Sequence, residues 1–267
     1  MALRLAFPAP YRVANLGVVL WALGYADRAL QHLHRALALA RDVAHPNTLQ
    51  YALFFTAMGH QFRREARDVQ EQAEMAIALI NEQGLASNFL AMATCLQGWA
   101  LAAQGQREAG LAQMRQGLII HQTSGQEIQR PWLLGMLAEA CVHAGQLDEG
   151  LRLVTEALER VQQSGEGEWE AELYRLKGEL LVHAEGDVQH AAVTAEACFH
   201  QALAIAHRQQ AKSFELRAAM SLSRLWQQQG KRDAAREVLA EVYGWFTEGF
   251  DTADLQEARA LLEALIG

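Results

Sequence analysis

A small residue returns about every forty positions along this chain, and this spacing constrains the fold more than any other feature. Each occurrence lies among apolar residues at helical spacing and is followed by a break and a second helical run. The recurring positions are Gly17, Ala57, Gly98, Ala138, Gly178 and Ser223. A period of this length is typical of a solenoid of stacked helical hairpins.

The first repeat carries Leu16-Gly17, Gly24, Ala29 and Ala36-Leu37 at the offsets of a tetratricopeptide repeat. Two helices of a hairpin pack closely only where one presents a small residue at the crossing. The pattern therefore predicts one all-α domain over 1–267, a tetratricopeptide-like α-solenoid wound as a right-handed superhelix. Its predicted hairpins are 10–44, 47–83, 86–124, 129–164, 167–209 and 212–247, with a capping helix at 253–266.

The turns between hairpins carry their own signal. Gly84, Gly125 and Gly165 recur at the repeat period, where a left-handed residue would end the second helix of a hairpin. The Ser-Gly pairs that end at Gly125 and Gly165 are therefore turns rather than nucleophile motifs. The fifth hairpin fits the repeat only with about five residues inserted near 186–190.

Composition narrows the choice of partners and compartment. The net charge is −8 with no basic run, which argues against nucleic acid and against an anionic membrane surface. The apolar run 13–23 is too short to span a bilayer. The cysteines, Cys95, Cys141 and Cys198, lack metal or redox spacing, so we expect buried, reduced thiols and a cytoplasmic protein.

No catalytic motif is present in the sequence. Gly230-Lys231 lacks the glycine that a phosphate-binding loop requires, and no nucleotide-binding, serine-hydrolase or zinc-protease signature occurs. His143 and His183 share a repeat position, but two ligands are too few for zinc. We therefore expect no enzyme activity, no cofactor and no metal.

The best candidate site is the concave face, which the first helix of each hairpin lines in this fold. The predicted face is aromatic and methionine-rich in its first half and charged in its second. Its candidate residues are Tyr11, Trp21, Tyr51, Phe54, Met58, Met92, Trp99, Trp132, Glu139, Glu172, Arg175, Glu179, Arg217 and Arg224. Two interpretations stay open: a groove for a partner or ligand, or side chains that pack against one another. Arg175 has the spacing of ordinary surface ion pairs with Glu172 and Glu179.

Four segments in the second half resemble a known group of proteins. They are 167–181, 199–206, 209–213 and 243–255, the last beginning Tyr243-Gly244-Trp245-Phe246. They resemble the C-terminal tetratricopeptide region of bacterial multidomain signalling ATPases, in which a cyclase or DNA-binding domain precedes the ATPase. The resemblance implies a sensor or scaffold region, with none of the upstream catalytic residues present. An apolar start at Leu3, Leu5 and Phe7, without an obvious partner, would fit a fragment of such a protein.

Three functions follow as hypotheses. The leading one is a non-enzymatic module that binds a protein segment, or the upstream ATPase or cyclase domains of the same polypeptide, in the groove. The second is a sensor for a small ligand in the same groove. The third is homodimerisation through the apolar strip.

Overall fold

The computed structural model describes residues 8–85, 87–125, 127–165, 167–184 and 188–266. The apolar start at Leu3, Leu5 and Phe7 lies outside these residues, and the insertion expected near 186–190 lies partly outside them. Within the described ranges the chain forms thirteen α-helices and one 3₁₀ turn, with no strand.

The helices follow one another as antiparallel neighbours joined by short turns. Their bounds are α1 Ala9–Ala22, α2 Ala26–Val43, α3 Pro46–Arg63, α4 Ala66–Gln83, α5 Ser87–Ala103, α6 Arg107–Thr123, α7 Arg130–Ala144, α8 Leu147–Ser164, α9 Glu170–His183, α10 Val188–Gln209, α11 Lys212–Gln228, α12 Arg232–Tyr243 and α13 Ala253–Ile266. The 3₁₀ turn, Gly167–Trp169, leads directly into α9.

Proline and glycine mark several helix ends. Proline stands in the first turn of α3 and of α7, where its missing N–H costs no helical hydrogen bond. Gly84 and Gly165 end α4 and α8 with positive φ angles of 62° and 76°. Gly125, just after α6, has a φ of 70°. These turns are the ones that the repeat pattern predicts.

The small residues of the repeat lie where paired helices touch. A Cβ on Gly98 in α5 would stand 2.7 Å from the carbonyl oxygen of Gly110 in α6. A Cβ on Gly178 would stand 2.4 Å from the Phe199 ring. These contacts confirm a tetratricopeptide-like solenoid of helical hairpins, because the repeating glycine is what permits the close approach.

The solenoid closes on itself. Trp21 at the end of α1 meets Phe214 of α11 edge to face, with ring centroids 5.2 Å apart. The Ser213 hydroxyl donates a hydrogen bond to the Trp21 carbonyl oxygen at 2.5 Å. Trp245 and Phe246, after α12, pack against Gly24. We call this junction of the first and last hairpins the closing seam.

Ion pairs complete the closing seam. Glu248 accepts hydrogen bonds from the backbone N–H groups of Asp27 and Arg28 at 3.1 and 3.0 Å, and so caps the start of α2. The Arg63 guanidinium pairs with Asp27 at 3.2 Å and with Asp251 at 3.1 Å. Residues far apart in sequence thus fasten the two ends of the solenoid together.

Candidate functional site

The aromatic half of the predicted groove is a core. Trp21, Trp132 and Trp99 expose only 4%, 4% and 8% of their surface. Phe54, Met58 and Met92 are also buried. All six side chains belong to one hydrophobic core, and Trp99 also borders a cavity toward α5 and α6.

The buried aromatic rings form a continuous stack through the centre of the molecule. Trp21 stacks on Phe62 with centroids 4.2 Å apart, and Phe62 lies 5.7 Å from Trp169. Trp169 in turn stacks on Trp132 at 5.9 Å. Because the solenoid closes, rings from hairpins far apart in sequence meet and fill the aromatic half of the inner wall.

Tyr11 and Tyr51 lie at the edge of the aromatic core, which Tyr51 joins through Phe55 and Phe54. Both are half-buried, and their rings contact each other with centroids 4.2 Å apart. The Tyr51 hydroxyl donates a hydrogen bond to Asn15 at 2.7 Å. The two tyrosines therefore belong to the α1–α3 contact rather than to the charged half of the predicted site.

The charged half lines an open cavity of about 460 Å³, which we call the central cleft. Its walls come from α7, α9, α11, α13 and the turn after α3. Its charged and polar lining residues are Arg64, Glu139, His143, Arg175, Glu179, His183, Arg217, Ser221, Arg224, Asp254 and Glu257. Five of these, Glu139, Arg175, Glu179, Arg217 and Arg224, are residues that the sequence predicted.

A dense set of ion pairs forms the floor of the cleft. Arg175 binds Glu172 through two nitrogens, at 2.7 and 2.9 Å, and reaches Glu179 at 3.4 Å. Arg217 binds Asp254 at 2.7 Å and lies 3.6 Å from Glu172. The Arg175 and Glu172 side chains expose only 11% and 13% of their surface. The sequence predicted surface ion pairs here; the pairs form, but α11 and α13 cover them.

The mouth of the cleft carries more exposed charges. Arg224 pairs with Glu257 at 3.0 Å, and the same carboxylate contacts Arg64 at 2.6 Å. A second cavity of about 380 Å³ shares Arg64, Glu139 and His143 with the first and runs toward α5 and α6. Together they form an elongated depression of mixed charge.

The floor is permanently charged near neutral pH. Burial acts to raise the pKa of Glu172, but the guanidinium groups of Arg175 and Arg217 outweigh it, and the pKa lies below its ordinary value. Burial alone would lower the pKa of Arg175, yet Glu172 and Glu179 raise it. The cleft therefore presents fixed positive and negative groups held in low-dielectric surroundings.

Two glutamate–histidine pairs face the cleft from neighbouring helices. Glu139 and His143 lie one turn apart on α7, and Glu179 and His183 occupy the same repeat positions on α9. Glu139 also accepts a hydrogen bond from the Trp99 indole at 3.3 Å, which links the cleft to the aromatic core. The repeat thus presents the same glutamate–histidine pair twice. In the described part of the chain, no three histidine or acidic side chains of the cleft lie close enough together to hold a metal ion.

Sequence reasoning missed Arg64, Asp254 and Glu257. Arg64 lies in a turn with a φ of 63°, and the other two lie on α13, outside the repeat register that identified the concave face. They reach the cleft only because the chain closes. For Asp254 and Glu257, the sequence offers one indication: both are charged residues beside the apolar positions of α13.

The three cysteines lie in the core. All three are free and buried, and burial raises the pKa of Cys95 to about 12 and of Cys141 to about 11. Such thiols stay protonated at neutral pH and are poor nucleophiles.

No helix in the described ranges has both the length and the apolar character needed to cross a membrane.

The fold places this chain among tetratricopeptide-type α-solenoids. Superposition aligns it with yeast Tom70 at a TM-score of 0.55 and 12% identity, over 97% of this chain and 47% of Tom70. A signal transduction ATPase with numerous domains and a tetratricopeptide repeat sensor, from Pyrococcus horikoshii, aligns at 0.55 and 12%, over 96% of this chain and 38% of that one. The apo form of the quorum sensor NprR from B. thuringiensis aligns at 0.51 and 14%, over 96% and 79%.

Similarity in sequence is more limited. An uncharacterized protein of Rhizobium meliloti (strain 1021) is 25% identical over 213 residues, which are 80% of this chain and 20% of that protein. The chain thus spans about a fifth of the length of this relative and less than half of Tom70 and of the ATPase. No family model matches the chain.

Proposed function

We propose that this chain is a regulatory binding module without catalytic activity, and that its ligand occupies the central cleft. The observation that carries the proposal is the open cavity of about 460 Å³ on the inner wall, floored by partly buried arginines and carboxylates. Its volume lies in the range of ligand pockets, and its fixed charges can orient a polar ligand. Tetratricopeptide folds align with this chain in two proteins whose names describe sensors.

The first candidate ligand is a short protein segment that carries positively and negatively charged side chains. The two adjoining cavities form an elongated depression, which suits an extended peptide better than a compact metabolite. The segment would come from a partner or from ATPase or cyclase domains of a longer signalling polypeptide. The length of the Rhizobium relative supports this context.

The second candidate is a small ligand that carries a positive and a negative group. The chain would then act as a sensor of the concentration of this ligand. The position of Arg175 and Arg217 on the wall of the open cavity favours it, because a small molecule can reach these groups without opening the solenoid. Homodimerisation through the apolar strip has little support, since those side chains are already buried.

A binding screen with matched variants tests the proposal. The purified chain is titrated with an array of mixed-charge peptides and with a metabolite set, by fluorescence polarisation and thermal shift. We expect Arg224→Gln, at the mouth of the cleft, to weaken binding at least about tenfold, because a charge-assisted hydrogen bond is lost. Arg259→Gln, on the exposed face of the same region, should bind as the parent does.

The two arms separate the candidates. Hits confined to peptides favour the partner segment, and hits confined to metabolites favour the sensor for a small ligand. Binding that Arg224→Gln and Glu139→Gln leave unchanged would place the ligand elsewhere and contradict the proposal. The proposal would also be contradicted if neither the peptides nor the metabolites contained a binder.

A further inference from the structure

A second cluster of chemically competent side chains lies away from the central cleft, where α2, α3 and α4 meet. A ring nitrogen of His60 and carboxylate oxygens of Glu65 and Asp68 all lie within 4.8 Å of one another. His60 is in the last turn of α3, Glu65 precedes α4, and Asp68 is in the first turn of α4. Within the described parts of the chain, no other trio of histidine, cysteine or acidic residues comes this close together.

A fourth potential ligand stands beside this trio. His34 of α2 has its ring centroid 5.6 Å from that of His60. Two imidazoles and two carboxylates are a common donor set for Zn²⁺, which accepts nitrogen and oxygen ligands in a tetrahedral arrangement. Neighbouring ligand atoms in such a site are about 3.3 to 3.6 Å apart. The widest separation in the trio would therefore shrink by about an ångström, while the 2.6 Å between His60 Nδ1 and Glu65 would widen by about 0.7 Å.

The members of the cluster differ in exposure in a way that suits this rearrangement. His60 is buried, and one of its ring nitrogens, Nδ1, lies 2.6 Å from Glu65, which fixes the ring. Glu65 is itself held by the Arg63 side chain at 2.7 Å through its other oxygen. His34 and Asp68 are exposed, so their side chains can rotate toward a cation without disturbing the core.

We propose that His60, Glu65 and Asp68, completed by His34, bind a divalent transition-metal cation of the Zn²⁺ type. On binding, the cation would take the place of the proton between His60 Nδ1 and Glu65, so that this proton is released and both groups become ligands. The site adjoins the closing seam, because Arg63 contacts both Glu65 and Asp251. A bound cation would link α2, α3 and α4 beside that seam and stabilise the closed solenoid.

Metal titration of the intact chain tests the site. After treatment with a chelator, ZnCl₂ is added in a calorimeter, and melting is measured with and without the metal. We expect one Zn²⁺ per chain and a higher melting temperature that EDTA reverses. Co²⁺ in place of Zn²⁺ should give visible bands of a four-coordinate nitrogen–oxygen site, without a thiolate charge-transfer band from the cysteines.

Two exposed ligands allow a variant that keeps the core intact. The double variant His34→Gln/Asp68→Asn should lower Zn²⁺ affinity at least about tenfold. The control His45→Gln/Asp233→Asn changes one exposed histidine and one exposed aspartate away from the cluster and should bind as the parent does. The proposal is overturned if the parent binds no stoichiometric Zn²⁺, if the ligand variant binds with unchanged affinity, or if Co²⁺ shows thiolate bands.

Discussion

Gly98 illustrates how single residues set the geometry of this solenoid. It faces Gly110 and Met114 of α6, and the two backbones approach closely because Gly98 and Gly110 both lack a side chain. Gly135 in α7 is a useful contrast, because a Cβ there would meet only the ends of Leu173 and Leu176 side chains, at 3.2 and 3.8 Å. Sequence identified Gly98 correctly from its period alone.

We expect Gly98→Ala to lower the free energy of unfolding by about 1–3 kcal/mol, since the new methyl group would overlap backbone atoms of α6. Gly135→Ala should change it by less than about 1 kcal/mol, because alanine favours the helix and Leu173 can move. Urea denaturation of both variants measures the difference. Equal losses in the two proteins would show that the close crossing at Gly98 does not limit stability.

At the scale of elements, helix ends are stabilised from distant parts of the chain. No side chain at the N-cap position of α2 bonds its first N–H groups; Glu248, beyond α12, accepts two of them. A carboxylate at this place also faces the positive end of the helix dipole. One residue therefore both caps α2 and fastens the closing seam.

Glu248→Ala should reduce the free energy of unfolding by about 1–2 kcal/mol, the usual cost of removing a helix cap. The matched change Glu263→Ala removes an exposed carboxylate that pairs with Arg259 within α13. That control should stay within about 0.5 kcal/mol of the parent. Thermal and urea unfolding measure both, and a loss at Glu263 as large as at Glu248 would argue against capping across the seam.

At the scale of the whole molecule, ionised carboxylates hold the closed arrangement together. Glu172 bridges Arg175 and Arg217 beneath the cleft, and Glu65 holds Arg63 near the seam. Burial acts to raise the pKa of both carboxylates. The arginines beside Glu172, and His60 and Arg63 beside Glu65, outweigh burial and lower each pKa below its ordinary value of 4.5. Each group therefore binds protons more weakly in the folded chain than in the unfolded chain.

This difference predicts acid sensitivity with a defined sign. Stability from these carboxylates is fully present above about pH 4.5 and is lost as the pH falls through their lowered folded pKa values. The free energy of unfolding should therefore decline steeply below about pH 4.5, and less steeply in Glu172→Gln. Urea titrations at a series of pH values measure the slopes. Glu263→Gln should keep the slope of the parent, and an unchanged slope in Glu172→Gln would contradict the assignment.

The sequence by itself determined the repeating part of this protein. A period of about forty residues, small residues at crossings and glycines at turns follow from local geometry, so Gly98, Gly84 and Gly165 could be identified without coordinates. Periodicity also placed Arg175 and Glu179 on one inner face, because residues four apart lie on the same side of a helix.

Only the tertiary structure decided what the inner face became. Repeat periodicity sets the direction of each side chain, but the accumulated curvature determines whether opposite walls meet. Here they meet: Trp21 and Trp132 are buried in one aromatic core, while Arg64 and Asp254 join the charged cleft from outside the repeat register. His60, Glu65 and Asp68 likewise come together through the turn between α3 and α4, a contact that no helical period encodes.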